Sequence, residues 1–410
     1  MVETEKNRNV FILFAATVCF YAYGSAGVSW LWSIPVSIRY LLMLVVSIFY
    51  ITSSKPQISP KSFVLILLFI CYCFVILVTN NTNFFYGLLS TVAFITCTIA
   101  VVTLPLEKKR TLFKYLNNCM VFILTISIPA WLLYINGFPL PHGSQFNHEN
   151  GFHILTNYFF FLLNGNGDDI ILSFDKFCSI FLEPGQLATP CAFLFFANGG
   201  KLLRYDNILY LLAIAMSFSL IAYGLIIGGL LWNSLFVNKK HRLLTLIIFV
   251  SALTTLTVSL VKAEDSDNPL YTLIIARLAF DDEKGIVGNN RTTDAFDYTY
   301  DKMMKSNSKW FGISDRIGED SDLATNCSGY KKTILFHGIV GLSLLFLFVF
   351  AVYKYNVCSS TTIYFIIAIL AHIVRDLLGS PLWLYIILLG MYVLKDNSKN
   401  IKLSKLNQKK

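Results

Sequence analysis

Apolar residues lie along this chain in long continuous runs that short polar segments separate. A helix needs about 20 mostly apolar residues to cross a bilayer, and most of the runs approach that length. They do not alternate between apolar and polar positions, which argues against a β-barrel. The pattern therefore predicts an all-α, polytopic integral membrane protein with about 12 transmembrane helices. The predicted spans are 10–31, 33–53, 63–79, 84–104, 116–135, 178–198, 207–220, 221–237, 243–262, 333–354, 361–374 and 381–394.

Lysine and arginine residues are concentrated in every second segment between these runs. The positive-inside rule assigns such basic segments to the cytoplasm, and the alternation fits 12 spans with both termini cytoplasmic. The predicted break between the helices 207–220 and 221–237 has the weakest sequence signal, which consists of the polar residues Ser217 and Ser219. Without a break there, the later basic segments would fall outside the cell, so the alternation supports two separate helices.

This topology divides the chain into six segments and places two long loops on the outer face. The segments are the first five helices in 1–135, a first periplasmic loop in 136–177, the next four helices in 178–262, a second periplasmic loop in 263–332, the last three helices in 333–394 and a basic cytoplasmic tail in 395–410. Apolar residues at helical spacing predict an amphipathic interfacial helix over 269–280 and another short helix over 292–304. Loops of this length usually carry function.

Composition supports the membrane assignment and explains the net charge. About 55% of the 410 residues are hydrophobic and 14% are charged, against roughly a quarter charged in soluble proteins. The predicted cytoplasmic segments hold 20 Lys and Arg against 5 acidic residues, so the net charge of +9 indicates orientation and not a nucleic-acid partner. The second periplasmic loop holds 13 of the 24 acidic residues, which makes Arg277 and Arg291 cations in an acidic loop.

A carboxylate stands at the predicted outer edge of the sixth span, in the sequence Phe181-Leu182-Glu183-Pro184-Gly185. Carboxylates at that depth are costly and usually functional. The alternative is structural, since a glutamate before a proline can favour the helix N-terminus without any role in chemistry. We expect the functional role for Glu183.

The first periplasmic loop contains histidines of the kind that bind metal ions. His148 and Glu149 are followed by His153, a spacing of five residues in place of the four that the helical zinc motif requires. Five residues turn a helix by about 500°, so the two histidines would point roughly 140° apart. The spacing therefore argues against a metal site, and we expect polar residues of this loop, His148 among them, to contact sugar.

In their order along the chain, these features resemble the O-antigen polymerase and O-antigen ligase superfamily, bacterial membrane glycosyltransferases that act on undecaprenyl-diphosphate-linked glycans. The resemblance covers about residues 170–350, and the order of its short motifs relative to the spans carries it. Residues 181–185 are similar to the family's Phe-x-Glu-Pro-Gly motif, and Arg277 with Gly288 is similar to its Arg-x(n)-Gly pattern. Residues 308–314 are similar to its Phe-Gly-x-Gly segment but lack the second glycine. Residues 328–330, followed by His337, Gly338 and Gly341, are similar to the family segment that re-enters the membrane.

The resemblance implies a GT-C-like fold and a transfer reaction whose leaving group is undecaprenyl diphosphate. An anionic leaving group needs fixed cations more than a proton, and Arg277 and Arg291 are the expected clamp. Such cations can replace a metal, so we predict that the protein needs no metal or other cofactor. Glu183 is the first candidate for the base that activates the acceptor hydroxyl, and His337 is the second. Other candidate bases are Asp315, Glu319 and Asp320, and the candidate substrate-binding residues are Lys176, His148, Arg316, Ser328, Tyr330 and Arg375.

Two of these assignments leave a structural alternative open. Arg375 and Asp376 lie near the outer end of the eleventh span, where they form either a structural ion pair or part of the site. Trp310 and Phe311, with Tyr330, either stack on sugar rings or anchor the protein at the bilayer interface.

This chain departs from the family pattern at a segment that distinguishes the ligases from the polymerases. Ligases resemble one another in a segment with His and Asn about eleven residues before a Gly-x-x-Gly, which here falls at Cys327-Ser328. Because no histidine stands there, we predict a polymerase of O-antigen, capsule or exopolysaccharide repeat units in the bacterial inner membrane. Its partners would be the undecaprenyl-diphosphate-linked oligosaccharide, membrane lipids, a chain-length-regulating co-polymerase and a flippase.

Two alternative functions stay open from the sequence. One is the ligase branch of the same superfamily. The other, from a different class, is a lipid-linked oligosaccharide flippase or another transporter, which accounts for many spans and a basic cytoplasmic face. A transporter does not account for an outer loop of about 70 residues, and it predicts charges inside the spans, where this chain has almost none.

Overall fold

The computed structural model describes residues 5–79, 84–143, 145–147, 154–164, 170–171, 174–237, 280–281, 285–286, 294–313 and 329–407. Its helices are α1 (Glu5–Ser25), α2 (Val36–Ser54), α3 (Pro60–Thr79), α4 (Phe84–Thr103), α5 (Leu106–Ile135), α6 (Pro184–Ala197), α7 (Tyr205–Ser217), α8 (Leu220–Trp232), α9 (Asp294–Met304), α10 (Tyr330–Tyr355), α11 (Ser359–Val374) and α12 (Pro381–Asn407). Within the described residues, α2 to α5 and α10 are the 5 helices long and apolar enough to cross a membrane. An all-α membrane protein is thereby supported, while the number of 12 spans stays a prediction.

The helix bounds follow the apolar runs, with two informative differences. α5 begins at Leu106, well before the predicted start at 116, because its first turns contain charged residues that favour helix but that hydropathy leaves out. α6 begins at Pro184, whereas the prediction started this helix at 178. Proline is favoured in the first turn of a helix, and the residues before it form an irregular loop. The ninth predicted span, 243–262, lies outside the described residues.

α6 and the first half of α12 form the centre of the helix bundle. From Leu382 to Leu389, every side chain of α12 is at most 4% exposed, and α6 is buried over nearly its whole length. A helix that is apolar all round must be covered on every side, and here the other helices of the bundle cover it. Outer helices such as α2 and α3 instead expose large apolar side chains, among them Leu41 and Phe74. Such exposure suits contact with lipid.

α7 and α8 form a short helical hairpin, which confirms the predicted break between them. Phe218 has a left-handed backbone (φ 49°), and Ser219 is extended, so the helix cannot continue. At the far end of α8, Gly229 packs against the ring of Phe196, close to the point where α6 ends. The chain has therefore returned to the side on which α7 began. Each helix has 13 residues, or about 20 Å, which is shorter than a hydrocarbon core of about 30 Å.

The two long loops contain short strands that the all-α prediction did not include. β1 (Gln145–Asn147), β2 (Ile154–Asn157) and β3 (Leu162–Asn164) form an antiparallel sheet in the order β1-β2-β3, in which Thr156 pairs with Gln145 and with Leu163. Two further hairpins pair β4 (Ile170–Ile171) with β5 (Phe174–Asp175) and β6 (Phe280–Asp281) with β7 (Gly285–Ile286). Strands this short give no readable alternation in the sequence.

The structure confirms one of the two helices predicted in the second long loop. α9 (Asp294–Met304) corresponds to the short helix predicted over 292–304. The amphipathic helix predicted over 269–280 lies outside the described residues except for Phe280, which begins β6. α9 packs on the first turns of α10, because Phe296, Tyr300 and Met303 form one apolar cluster with residues of that helix.

Candidate functional site

Glu183 and Arg375 form an ion pair at the end of the bundle that the positive-inside rule assigns to the periplasm, called the outer end below. Nη1 of Arg375 donates a hydrogen bond to Oε2 of Glu183 at 2.7 Å, although 192 residues separate the two in sequence. Glu183 has an extended backbone (φ −134°, ψ 146°), as the residue before a proline prefers. Its side chain makes no capping hydrogen bond to the first turn of α6, which the structure describes throughout. The side chain is therefore engaged with Arg375 and does not hydrogen-bond the start of the helix as a cap would.

The loop that leads to Glu183 lies inside the bundle and not on its surface. The hydroxyl of Ser179 donates to Oγ of Ser127 at 2.8 Å. Ser127 stands eight residues before the end of α5, about 12 Å down the helix at 1.5 Å per residue. The amide of Ser29 donates to the carbonyl of Ile180 at 3.0 Å, and Lys176 is only 9% exposed. Glu183 is thus held by a buried loop on the outer half of the bundle.

Gly185 gives Arg375 the space that it occupies. A Cβ at residue 185 would overlap Cζ, Nη2 and Nε of Arg375, so the guanidinium lies directly on the glycine backbone. This explains why glycine follows Glu-Pro in the motif 181–185. Nε of Arg375 and Oε1 of Gln186 are buried without hydrogen-bond partners in the described residues. The side chains of Arg375 and Glu183 are 21% and 35% exposed, so a bound substrate can reach both groups.

A second ion pair lies beside the first. Nζ of Lys332, in the first turn of α10, is 3.3 Å from Oδ2 of Asp376. Asp376 follows Arg375 directly in the chain, so each of these neighbours pairs with a residue of another helix. Of the two alternatives for Arg375 and Asp376, a local ion pair is not what forms, because adjacent side chains on extended backbone point in different directions. Lys332 was not among the candidate residues.

His372 holds the loop that carries these two charged residues. Its ring is fully buried near the end of α11, and Nδ1 accepts a hydrogen bond from the amide of Leu378 at 3.3 Å. Because Nδ1 accepts, the proton of the neutral ring is on Nε2, which faces Oγ1 of Thr333 at 3.4 Å. The histidine therefore links the Arg375 loop to α10. In the sequence, the only indication of this role is that His372 is a single histidine within an apolar run.

The helix α10 is broken at Gly338, where the backbone has φ 67° and ψ −179°. The segment Trp310-Phe311-Gly312 fills the break. The amide of Val340 donates to the carbonyl of Trp310 at 3.1 Å, and the amide of Ile313 donates to the carbonyl of Leu335 at 2.8 Å. These bonds satisfy backbone groups that the break leaves free, as a bundle inside a membrane requires. The motif 308–314 and the segment around His337, which are separate along the chain, are therefore one structural unit.

His337 stands immediately before this break and faces α3. Its Nδ1 is 3.0 Å from Oγ1 of Thr79, the last residue of that helix. The hydroxyl of Thr79 also donates to the carbonyl of Val75 at 2.9 Å, so its oxygen is left to accept from Nδ1–H. In the neutral ring this leaves Nε2 as an acceptor. No described contact joins His337 to Glu183 directly.

Exposed aromatic side chains surround the start of α10. Tyr330, Trp310 and Phe311 are 38%, 49% and 56% exposed. Nearby, Lys331 pairs with Asp297 at 2.8 Å and lies over the ring of Tyr300, whose pKa burial raises above its ordinary value of 10.0. Flat apolar faces of this kind suit either a sugar ring or the bilayer interface, and both alternatives stay open.

The structure brings part of the predicted site together. Glu183 and Arg375 touch, and Lys332, Asp376, His337 and Tyr330 lie on the elements joined to them at the outer end. Within the described residues, no group of three or more His, Cys, Asp or Glu is arranged to hold a metal ion, and metal independence stays a prediction. The predicted residues outside the described part of the chain are Arg277, Arg291, His148, Arg316, Ser328, Asp315, Glu319 and Asp320.

Comparison of the chain with protein-family models, with curated proteins and with solved structures finds no match in any of the three.

Proposed function

We propose that this protein is a membrane glycosyltransferase that polymerises the repeat units of O-antigen, capsule or exopolysaccharide. It would transfer a glycan from undecaprenyl diphosphate to a hydroxyl of an acceptor lipid-linked repeat unit, at the periplasmic face of the bacterial inner membrane. One observation carries the proposal most directly. The Glu-Pro-Gly motif positions a carboxylate and an arginine together, within reach of solvent, at one end of an apolar helical bundle.

The cations at this end suit a diphosphate leaving group. Arg375 has five N–H donors, and its hydrogen bond to Glu183 uses one of them. Lys332 lies on the adjoining helix and adds a second positive charge. Fixed cations stabilise the charge that develops on the diphosphate as the bond to the anomeric carbon breaks. Arg277 and Arg291 would complete the clamp from the second long loop.

Glu183 supplies the base. The acceptor hydroxyl oxygen attacks the anomeric carbon, the bond from that carbon to the phosphate oxygen breaks, and undecaprenyl diphosphate leaves with the electron pair. The hydroxyl proton passes to the carboxylate of Glu183. Arg375 holds this carboxylate in a fixed position, which general base catalysis requires. His337, whose Nδ1 contacts Thr79, is the second candidate.

Purified protein in liposomes that contain lipid-linked repeat units tests the proposal. Chain growth without ATP or added metal is expected, because the lipid diphosphate carries its own activated glycan. Growth would appear as a ladder of glycan lengths on a gel. Translocation of the repeat unit without growth would instead indicate a flippase. With lipid A core added as a second acceptor, a single transfer of glycan to that core would indicate a ligase.

Arg277→Ala and Arg291→Ala are each expected to leave single repeat units and no long chains. Removing one fixed donor to an anionic transition state typically lowers the rate by about 10²–10³-fold. The ladder of chain lengths from cells that express each variant is the measurement. Arg8→Ala is a matched control, since Arg8 is an exposed arginine of α1 that pairs only loosely with Glu5, at 3.9 Å. A wild-type ladder from both loop variants would contradict the clamp.

A further inference from the structure

A polar cavity of about 380 Å³ lies at the opposite end of the bundle from Glu183. The starts of α3 and α5 and the final turns of α10 border it together with Lys395 and Asp396 of α12. α3 runs from this cavity to Thr79, which contacts His337, and its 20 residues span about 30 Å. The cavity is therefore separate from the site proposed above, and it lies at the end assigned to the cytoplasm.

The cavity lining is positively charged. It contains three lysines, Lys61, Lys109 and Lys395, and one acidic residue, Asp396, so these side chains sum to 3 − 1 = +2. Asp396 already pairs with Arg110, which lies outside the lining. Like charges gathered in a partly enclosed space raise the local potential and favour an anion there.

Lys109 is the observation that points to a ligand. Its residue is only 6% exposed, and it lines the cavity from the first turns of α5. The ammonium lies 3.8 Å from the centre of the Tyr392 ring, and the structure gives it no hydrogen bond or salt bridge among the described residues. The aromatic face attracts the cation without neutralising it. The side chain is largely removed from water and has no anionic partner among the described residues, so its charge is costly and an anion bound in the cavity lowers that cost.

The other groups around the cavity suit phosphate. The first turns of α3 and α5 both border it, and helix N-termini attract anions through their free N–H groups. Ser59 and Ser62 add hydroxyl groups at the start of α3. The cavity lies where the apolar part of these helices ends, which is the depth of lipid phosphates in a bilayer.

We propose that this cavity binds the phosphate of an anionic phospholipid headgroup. A free phosphate offers the same chemistry, so the test must separate the two sources. Native mass spectrometry of the detergent-purified protein, titrated with phosphatidylglycerol or with zwitterionic phosphatidylcholine, measures lipid binding. Inorganic phosphate is titrated in a separate arm, alone and in competition with phosphatidylglycerol.

Lys109→Met is expected to weaken phosphatidylglycerol binding by about tenfold or more, because it removes the buried cation. The same variant should unfold no more readily than the wild type in lipid-free detergent, since it replaces an unpaired buried charge with an apolar side chain. Lys61→Gln, at an exposed position that folding tolerates, should weaken binding about fivefold. Lys201→Met is the matched control, an exposed lysine of the same face outside the cavity.

Equal affinity for the two lipids would overturn the proposal, as would unchanged phosphatidylglycerol binding by both cavity variants. Binding of inorganic phosphate that depends on Lys109 and that phosphatidylglycerol does not displace would overturn the lipid assignment. The measurement needs no glycan substrate, so its outcome is independent of the proposed polymerase activity.

Discussion

Replacing Glu183 with glutamine is expected to reduce glycan chain growth by about 10²–10⁴-fold, the usual contribution of a general base. The amide keeps the shape of the side chain but cannot accept the hydroxyl proton. In the wild-type protein Arg375 pairs with Glu183 at 2.7 Å, and the substitution removes this counter-ion. Initial rates of chain extension in liposomes are the measurement.

The matched control for this variant is Glu5→Gln. Glu5 also pairs with an arginine, Arg8, but in the exposed first turn of α1 at a distance of 3.9 Å. Exposed pairs contribute little to stability, so this variant should keep wild-type activity and folding. Wild-type rates from Glu183→Gln would exclude this carboxylate as the base.

A charge-swapped variant separates a chemical role of Glu183 from a structural one. Glu183→Arg combined with Arg375→Glu keeps two opposite charges side by side. If the pair only holds α6 against the loop after α11, the double variant should recover the stability and the activity that each single change loses. If Glu183 as base or Arg375 as a phosphate-binding cation takes part in the chemistry, stability returns and chain growth does not. The coupling between the two changes in thermal unfolding measures the structural part.

Gly338→Ala is expected to destabilise the outer half of the protein and to abolish chain growth. Gly338 has φ 67° and ψ −179°, a backbone region that only glycine occupies readily. A Cβ there would also overlap the carbonyl of Trp310 and the amide of Phe311. Backbone strain and overpacking together cost about 2–5 kcal/mol. Thermal unfolding in detergent and the chain-growth assay are the measurements.

The control for this variant is Gly224→Ala. Gly224 lies in α8 with open space around the position of a Cβ, and alanine is the better helix former. This change should leave stability equal or slightly higher. Equal melting temperatures for the two alanine variants would show that the segment 310–312 does not pack into the break as described.

The sequence predicted the helices of this protein well because apolar runs report directly on burial in lipid. The break at Phe218 and Ser219 followed from the alternation of basic segments, and α9 followed from helical spacing in a polar loop. The same signal failed for residues 178–183. The hydropathy of an apolar segment is equally high in a helix and in a buried loop, so only Pro184 indicated where α6 begins.

The partners of the charged residues could not be predicted in the same way. Arg375 and Asp376 are adjacent, so a local pair was the simplest expectation. Their actual partners, Glu183 and Lys332, stand 192 and 44 positions away in the chain. Hydropathy carries no information on which helix ends meet, and no local rule on charge spacing reaches that far.

By itself, then, the sequence determined an apolar helical bundle with a carboxylate and several cations near one end, because hydropathy and charge are properties of single residues. The tertiary structure decided which of them meet. It placed Arg375 on the backbone of Gly185, joined two distant motifs at the break in α10, and gathered three lysines at the opposite end. Those arrangements depend on close packing between segments far apart in the chain, which only the folded bundle specifies.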